Sequence, residues 1–158
     1  MLRRAEVKGL MLRNFVDLSL PALQFSAMPP RIDVRVPRTL RRFYTFLSAG
    51  SCLDLVADLK SRKIASGSAA VTDSAFNETD RRIHAAGMKW FDLRRYFIGC
   101  LLANTKLTPE AIGFMSGYVV KEDDLTHLRD FFNPKVIKLM REGYVQVEKQ
   151  FFIQQMVT

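Results

Sequence analysis

The sequence predicts an all-α fold: a small orthogonal helical bundle of about six or seven helices, preceded by an extended, proline-containing N-terminal arm. Three observations carry that expectation. Apolar residues recur at helical spacing over most of the chain after residue 39, two helix starts are written in local chemistry at Thr108-Pro109 and Asn133-Pro134, and the prolines cluster in MPPRIDVRVPR at 28–38. With 158 residues the chain suits one ordinary domain with a real core. The natural division is a basic helix and arm over 1–38 and a helical domain over 39–158.

The opening, MLRRAEVKGLMLRNF, carries Arg3, Arg4, Lys8 and Arg13, with Val7, Leu10, Met11, Phe15 and Leu18 at helical spacing. It reads as a basic amphipathic helix, either an import leader or, because Glu6 and Asp17 are unusual in such leaders, the first element of the fold. Three prolines in 28–38 then remove backbone donors and push their neighbours toward extended conformations. Ile32, Val34 and Val36 alternate with Asp33 and Arg35, so this stretch is an extended arm or a lone edge strand, lying along a partner or packed on its own domain.

From Thr39 the spacing of Leu40, Phe43, Tyr44 and Leu47 predicts a helix, and Cys52, Leu55, Val56 and Leu59 predict its pair. SGSAA at 66–70 is a loop, and a further helix is expected over 76–86. In KWFDLRRYFIGCLLAN, Trp90, Leu93, Phe97 and Leu101 line one face while Phe91, Ile98 and Leu102 line another, which predicts a helix buried all round at the hub of the core. Thr108 can accept an N-cap hydrogen bond and Pro109 suits the first helical position. Asn133 and Pro134 repeat that start for the last helix, where Gly143 costs about 1 kcal/mol relative to Ala. The segment YVQVEK beyond it is open to either helix or strand.

Charge is unevenly placed. The formal net charge is +8, and residues 1–65 hold twelve Lys or Arg against five Asp or Glu, whereas the remainder holds twelve against eleven. An anionic partner therefore belongs with the N-terminal part. Arg31, Arg35, Arg38, Arg41 and Arg42, interleaved with Phe43 and Tyr44, form the candidate partner-binding set. The arginines suit RNA phosphates, anionic lipid head groups or an acidic protein surface, and the aromatics suit base stacking.

Other chemistry finds little support. Cys52 and Cys100 are 48 positions apart and form no metal-binding pair motif, so a reducing compartment with two packed thiols is the simpler reading. The longest apolar run, YFIGCLLA, falls well short of the roughly 20 residues a membrane span needs. No G-x-S-x-G, G-x-G-x-x-G or G-x-x-x-x-G-K-[ST] occurs, and GFMSG at 113–117 has a spacing that lets helices approach closely. In KEDDLTHLRD, Asp123, His127 and Asp130 can share a helix face and hold a divalent metal, or else belong to the acidic opening of a helix whose Leu125, Leu128, Phe131 and Phe132 face the core. The second reading is preferred, so no catalytic residue, metal or cofactor is expected. Twelve phenylalanines, including Phe131-Phe132 and Phe151-Phe152, exceed the needs of a small core, which suggests that some are covered by partners.

The start MLRR resembles the short mitochondrial leaders of trypanosomes and their euglenid relatives. The resemblance implies a euglenozoan mitochondrial accessory subunit, a class found in the ATP synthase, the respiratory complexes and the mitochondrial ribosome. The expectation is a non-catalytic structural subunit of an inner-membrane energy-converting complex, on its matrix side, with the ATP synthase preferred and a respiratory complex second. Its partners would be other subunits of that assembly, with contact to anionic lipid. The alternatives are a mitochondrial ribosomal protein whose arm binds rRNA and a small metal-dependent enzyme.

Overall fold

The computed structural model describes residues 2–20, 22–36, 42–64, 66–70, 74–118 and 129–153. In chain order, helix α1 (Arg4–Lys8) leads to a 3-10 turn (Leu12–Asn14), the hairpin β1 (Leu18–Ser19) and β2 (Gln24–Phe25), and the strands β3 (Arg31–Arg35) and β4 (Arg42–Phe46). Helices α2 (Ala49–Ser61), α3 (Ser74–Ala85), α4 (Trp90–Asn104), α5 (Pro109–Met115) and α6 (Pro134–Ile153) follow. The fold is mixed α/β, not the all-α bundle expected, because two small antiparallel sheets stand beside the helices.

The expected helix from Thr39 is where the reading fails. Residues 42–46 form β4, paired antiparallel with β3 so that Arg31 faces Phe46, Asp33 faces Tyr44 and Arg35 faces Arg42. Phe43, Tyr44, Thr45 and Phe46 are all buried. A strand covered on both faces loses its alternation, and a short unbroken apolar run then satisfies helical spacing by coincidence. The Tyr44 and Phe46 face meets α5 and α6. Tyr44 lies edge-on to Phe114 at 5.0 Å and to Phe132 at 5.5 Å, and Phe46 tilts against Tyr144 at 5.6 Å. Phe114 stacks on Phe131 at 4.6 Å, so the Phe131-Phe132 pair joins an aromatic cluster within the chain itself.

The N-terminal arm packs on its own domain. Its β3 pairs with β4 across the boundary at residue 38, Phe15 bridges to Ile32, and Met11 bridges to Ala70. Leu2, Leu10, Phe15, Ile32 and Val34 share the main core with Phe97, Leu101 and Met115. Asp17 ties this layer to the last helix: one carboxylate oxygen accepts the Arg31 backbone N–H at 2.7 Å and the Arg141 guanidinium at 2.8 Å. A lesser core forms under the first hairpin from Leu12, Leu23 and Leu59.

The helix starts behave as their residues dictate. Ser48 caps α2, its Oγ accepting the Ser51 N–H, and Thr108 Oγ1 accepts the Ala111 N–H at the head of α5, where Pro109 needs no donor. Asn133 Oδ1 accepts the Lys135 N–H at the head of α6. That helix continues through Gly143 to Ile153, which decides the YVQVEK segment as helix. A Cβ on Gly143 would lie 2.6 Å from Leu107 Cδ1, so the bare backbone is what lets the loop before α5 seat against α6.

Two expectations about α4 and α5 change. On α4, Phe97 and Leu101 are buried and Ile98 packs against the core, but Phe91 and Leu102 are each 54% exposed, so the helix is not buried all round and part of its second apolar face meets solvent. In GFMSG the glycines do not form a helix-approach motif. A Cβ on Gly113 would meet open space, whereas Gly117 adopts φ +66° just past the end of α5. There Gly117 N–H donates to Phe114 O and Tyr118 N–H donates to Gly113 O, the paired bonds of a left-handed C-cap.

Candidate interaction site

The expected partner-binding residues divide into three groups. Arg35 and Arg42 are exposed and directly opposite each other at the end of the β3–β4 pair where the chain passes from one strand to the next. Together with Asn14, Asp33 and Phe132 they border a depression of about 360 Å³. Like charges directly across a ladder repel, so this end of the sheet favours an anion. Arg38 and Arg41 lie outside the described residues.

Arg31 is engaged within the chain. Its Nε lies 2.8 Å from Asp33 Oδ1, and its guanidinium sits 5.4 Å above the Tyr44 ring. Burial raises the Asp33 carboxyl above its ordinary value, against the downward pull of Arg31. Phe43 and Tyr44 are core residues: Tyr44 is fully buried, and its hydroxyl donates to Phe131 O at 2.6 Å, with Met140 Sδ at 2.9 Å. The Tyr44 ring meets Phe114, Phe132 and the Arg31 guanidinium, and Phe43 is 5% exposed, so neither presents an open face to a base. The set thus reduces, among its described members, to the basic hairpin end formed by Arg35 and Arg42, with Arg31 at the opposite end of the ladder.

Asp123 and His127 of the acidic decamer lie outside the described residues, and Asp130 is exposed. Among the described residues no group of three or more His, Cys, Asp or Glu is placed to hold a metal. Cys52 and Cys100 are free thiols. Burial, reinforced by the Glu148 carboxylate, pushes the Cys52 thiol up to about 12, so it is protonated at neutral pH and packs as a small apolar group.

Two features have no counterpart in the sequence reading. An apolar cavity of about 610 Å³ opens between the N-terminal segment, β4, α2 and α4, with Leu2, Leu10, Phe46, Leu55, Leu93 and Phe97 among its walls. Thr45 also borders it, and the Thr45 hydroxyl is buried with no hydrogen-bond partner among the described residues. The second feature is Arg94, 5% exposed within α4. Its guanidinium donates to Ser116 O and lies 4.7 Å over the Tyr118 ring, and its Nε has no hydrogen-bond partner among the described residues. Burial, with Arg3 nearby, lowers the Arg94 value, and Glu6 opposes that shift.

The architecture is therefore a mixed α/β domain with a basic strand end, an apolar cavity and a buried arginine on its helical side. No protein-family model, curated protein or solved structure matches the chain. Among the described residues no helix is long and apolar enough to cross a membrane.

Proposed function

We propose that the chain is a non-catalytic accessory subunit of a mitochondrial inner-membrane energy-converting complex, the ATP synthase first and a respiratory complex second, where it holds neighbouring subunits together on the matrix side. The observation that carries the assembly role is the outer face of α4, where Phe91 and Leu102 are each 54% exposed on an ordered helix that is anchored by Phe97 and Leu101 on its other side. Leu53 on α2 and Leu139 on α6 are also exposed, at 75% and 59%. Large apolar side chains held out on rigid elements suit burial against another subunit. The mitochondrial setting and the choice of complex rest on the resemblance of the MLRR start and on the near-neutral charge of residues 66–158, since an rRNA-bound protein commonly spreads basic charge more widely.

The basic hairpin end, Arg35 opposite Arg42, favours a second reading as a mitochondrial ribosomal protein. Native fractionation of detergent-solubilised mitochondria separates the two. Co-migration with ATPase activity supports the first reading. Co-migration with rRNA, with release that steepens as salt rises, overturns it in favour of the second.

A further inference from the structure

Two depressions share a wall at Trp90. The apolar cavity of about 610 Å³ falls within the roughly 300–1,000 Å³ of small-ligand pockets. The other, of about 330 Å³, is bordered by Arg3, Trp90, Phe91, Arg94 and Tyr118. Neighbours in sequence divide between them: Leu2 and Leu93 line the apolar cavity, while Arg3 and Arg94 line the second depression. A largely apolar cavity thus lies beside a small cationic cup with aromatic walls.

The cup has an unmet demand. Arg94 is 5% exposed, and its Nε is buried with no hydrogen-bond partner among the described residues. Glu6 accepts the Arg3 backbone N–H at 2.6 Å and lies 3.7 Å from Arg3 Nε. Glu6 favours the charged form of Arg94 while burial and the neighbouring Arg3 oppose it, so among the described residues the guanidinium is only partly compensated. A buried guanidinium in that state is costly, and an anion entering the cup would relieve it through charge-assisted hydrogen bonds.

We infer that this pair of depressions binds an amphipathic anion, a long acyl chain in the apolar cavity with its carboxylate or phosphate head on Arg3 and Arg94. The same chemistry is offered by a free fatty acid and by an acidic phospholipid. One further feature suits it: Trp90 stands where chain and head would meet, as indoles do at apolar–polar boundaries, with its indole N–H donating to Asp80 Oδ1 at 2.8 Å.

Trp90 is the only tryptophan in the sequence, so its fluorescence reports the site directly. The full chain is titrated with 9,10-dibromostearate, with its uncharged methyl ester, and with vesicles of brominated phosphatidylglycerol or brominated phosphatidylcholine, bromine being a contact quencher of indole. Saturable quenching by dibromostearate or by phosphatidylglycerol is expected, the first naming a fatty acid and the second a phospholipid as the source. Arg3→Glu, on an exposed side chain, should weaken that quenching about tenfold. Ser51→Phe or Leu55→Phe, which fill the cavity, should abolish it in variants whose circular dichroism shows the native fold. Absence of saturable quenching by both anionic probes overturns the inference. So does equal quenching by the methyl ester or phosphatidylcholine, and so does quenching that survives the cavity-filling variants.

Discussion

Replacing each glycine of GFMSG by alanine should have effects of opposite sign. Gly117 sits at φ +66°, and an added Cβ would lie 2.8 Å from Phe43 Cζ and 3.1 Å from the Arg94 guanidinium. An alanine in the left-handed region costs roughly 1–2 kcal/mol, and forcing a methyl against a packed ring adds about 1–3 kcal/mol. Gly117→Ala should therefore destabilise the fold by about 2–5 kcal/mol and lower the urea midpoint by about 1 M or more. Gly113 has open space around its Cα within α5, so Gly113→Ala should stabilise by up to about 1 kcal/mol through helix propensity alone. Urea unfolding followed by circular dichroism measures both. Making Gly117→Ala in a Phe43→Leu background should recover the steric part and leave the backbone part, since the two sites touch. If Gly113→Ala proved as damaging as Gly117→Ala, the pair would be a close-approach motif after all, and the C-cap account would be wrong.

Three other outcomes follow from the geometry. Tyr44→Phe leaves the Phe131 carbonyl without its 2.6 Å donor and should cost about 1–3 kcal/mol in thermal or urea unfolding, with little change in secondary structure. Arg42→Glu removes the repulsion across from Arg35 and should raise stability by about 0.2–1 kcal/mol while weakening co-fractionation with the partner assembly, a divergence that a purely structural role for the hairpin end would not produce. Alkali should destabilise the chain through Cys52: its folded value of about 12 lies above the ordinary 9.0, so between those limits the unfolded chain loses its proton first and stability falls as pH rises. Burial raises Tyr44 and Tyr144 in the same sense, so Cys52→Ala should flatten the alkaline slope of the unfolding midpoint only in part.

What could be read in the sequence was what short range decides. The caps at Thr108 and Asn133 act over two or three residues, and the oxygen and proline chemistry that makes them is present in the sequence itself. Strand β4 could not be read so directly, because its partners are distant: Tyr44 bonds to Phe131 and Met140, and its ring meets Phe114. For the same reason helical spacing places Phe43 and Tyr44 on the stripe of a helix, and the neighbouring arginines make them candidates for base stacking, whereas both are buried in β4. Spacing on α4 correctly paired Phe97 with Leu101, but periodicity marks which residues are apolar and not which are covered, so Phe91 and Leu102 were expected inside. Arg94 had no signal beyond one of two adjacent arginines on a helix. Its burial comes from α1 and the end of α5, elements about 90 positions earlier and 20 later.

The N-terminal segment shows why a leader-like composition and a structural role are compatible in one stretch of chain. The two acids that sit awkwardly in an import signal, Glu6 and Asp17, are both engaged by the fold, Glu6 locally at the head of α1 and Asp17 across the chain. Glu6 accepts the Arg3 backbone N–H beside Arg94, and Asp17 joins the Arg31 backbone to Arg141 on α6. Leu2, Leu10 and Phe15 lie in the same core as Phe97 and Met115, and burial of each such side chain contributes about 1.5–3 kcal/mol. A basic, amphipathic helix that needs an apolar surface for its other face finds one here in β3 and α4. The basic charge left pointing outward from this layer then lies at Arg3 in the cup beside Trp90 and at Arg35 and Arg42 where β3 passes to β4, which is why one end of the sequence supplies both basic surfaces and a wall of the core.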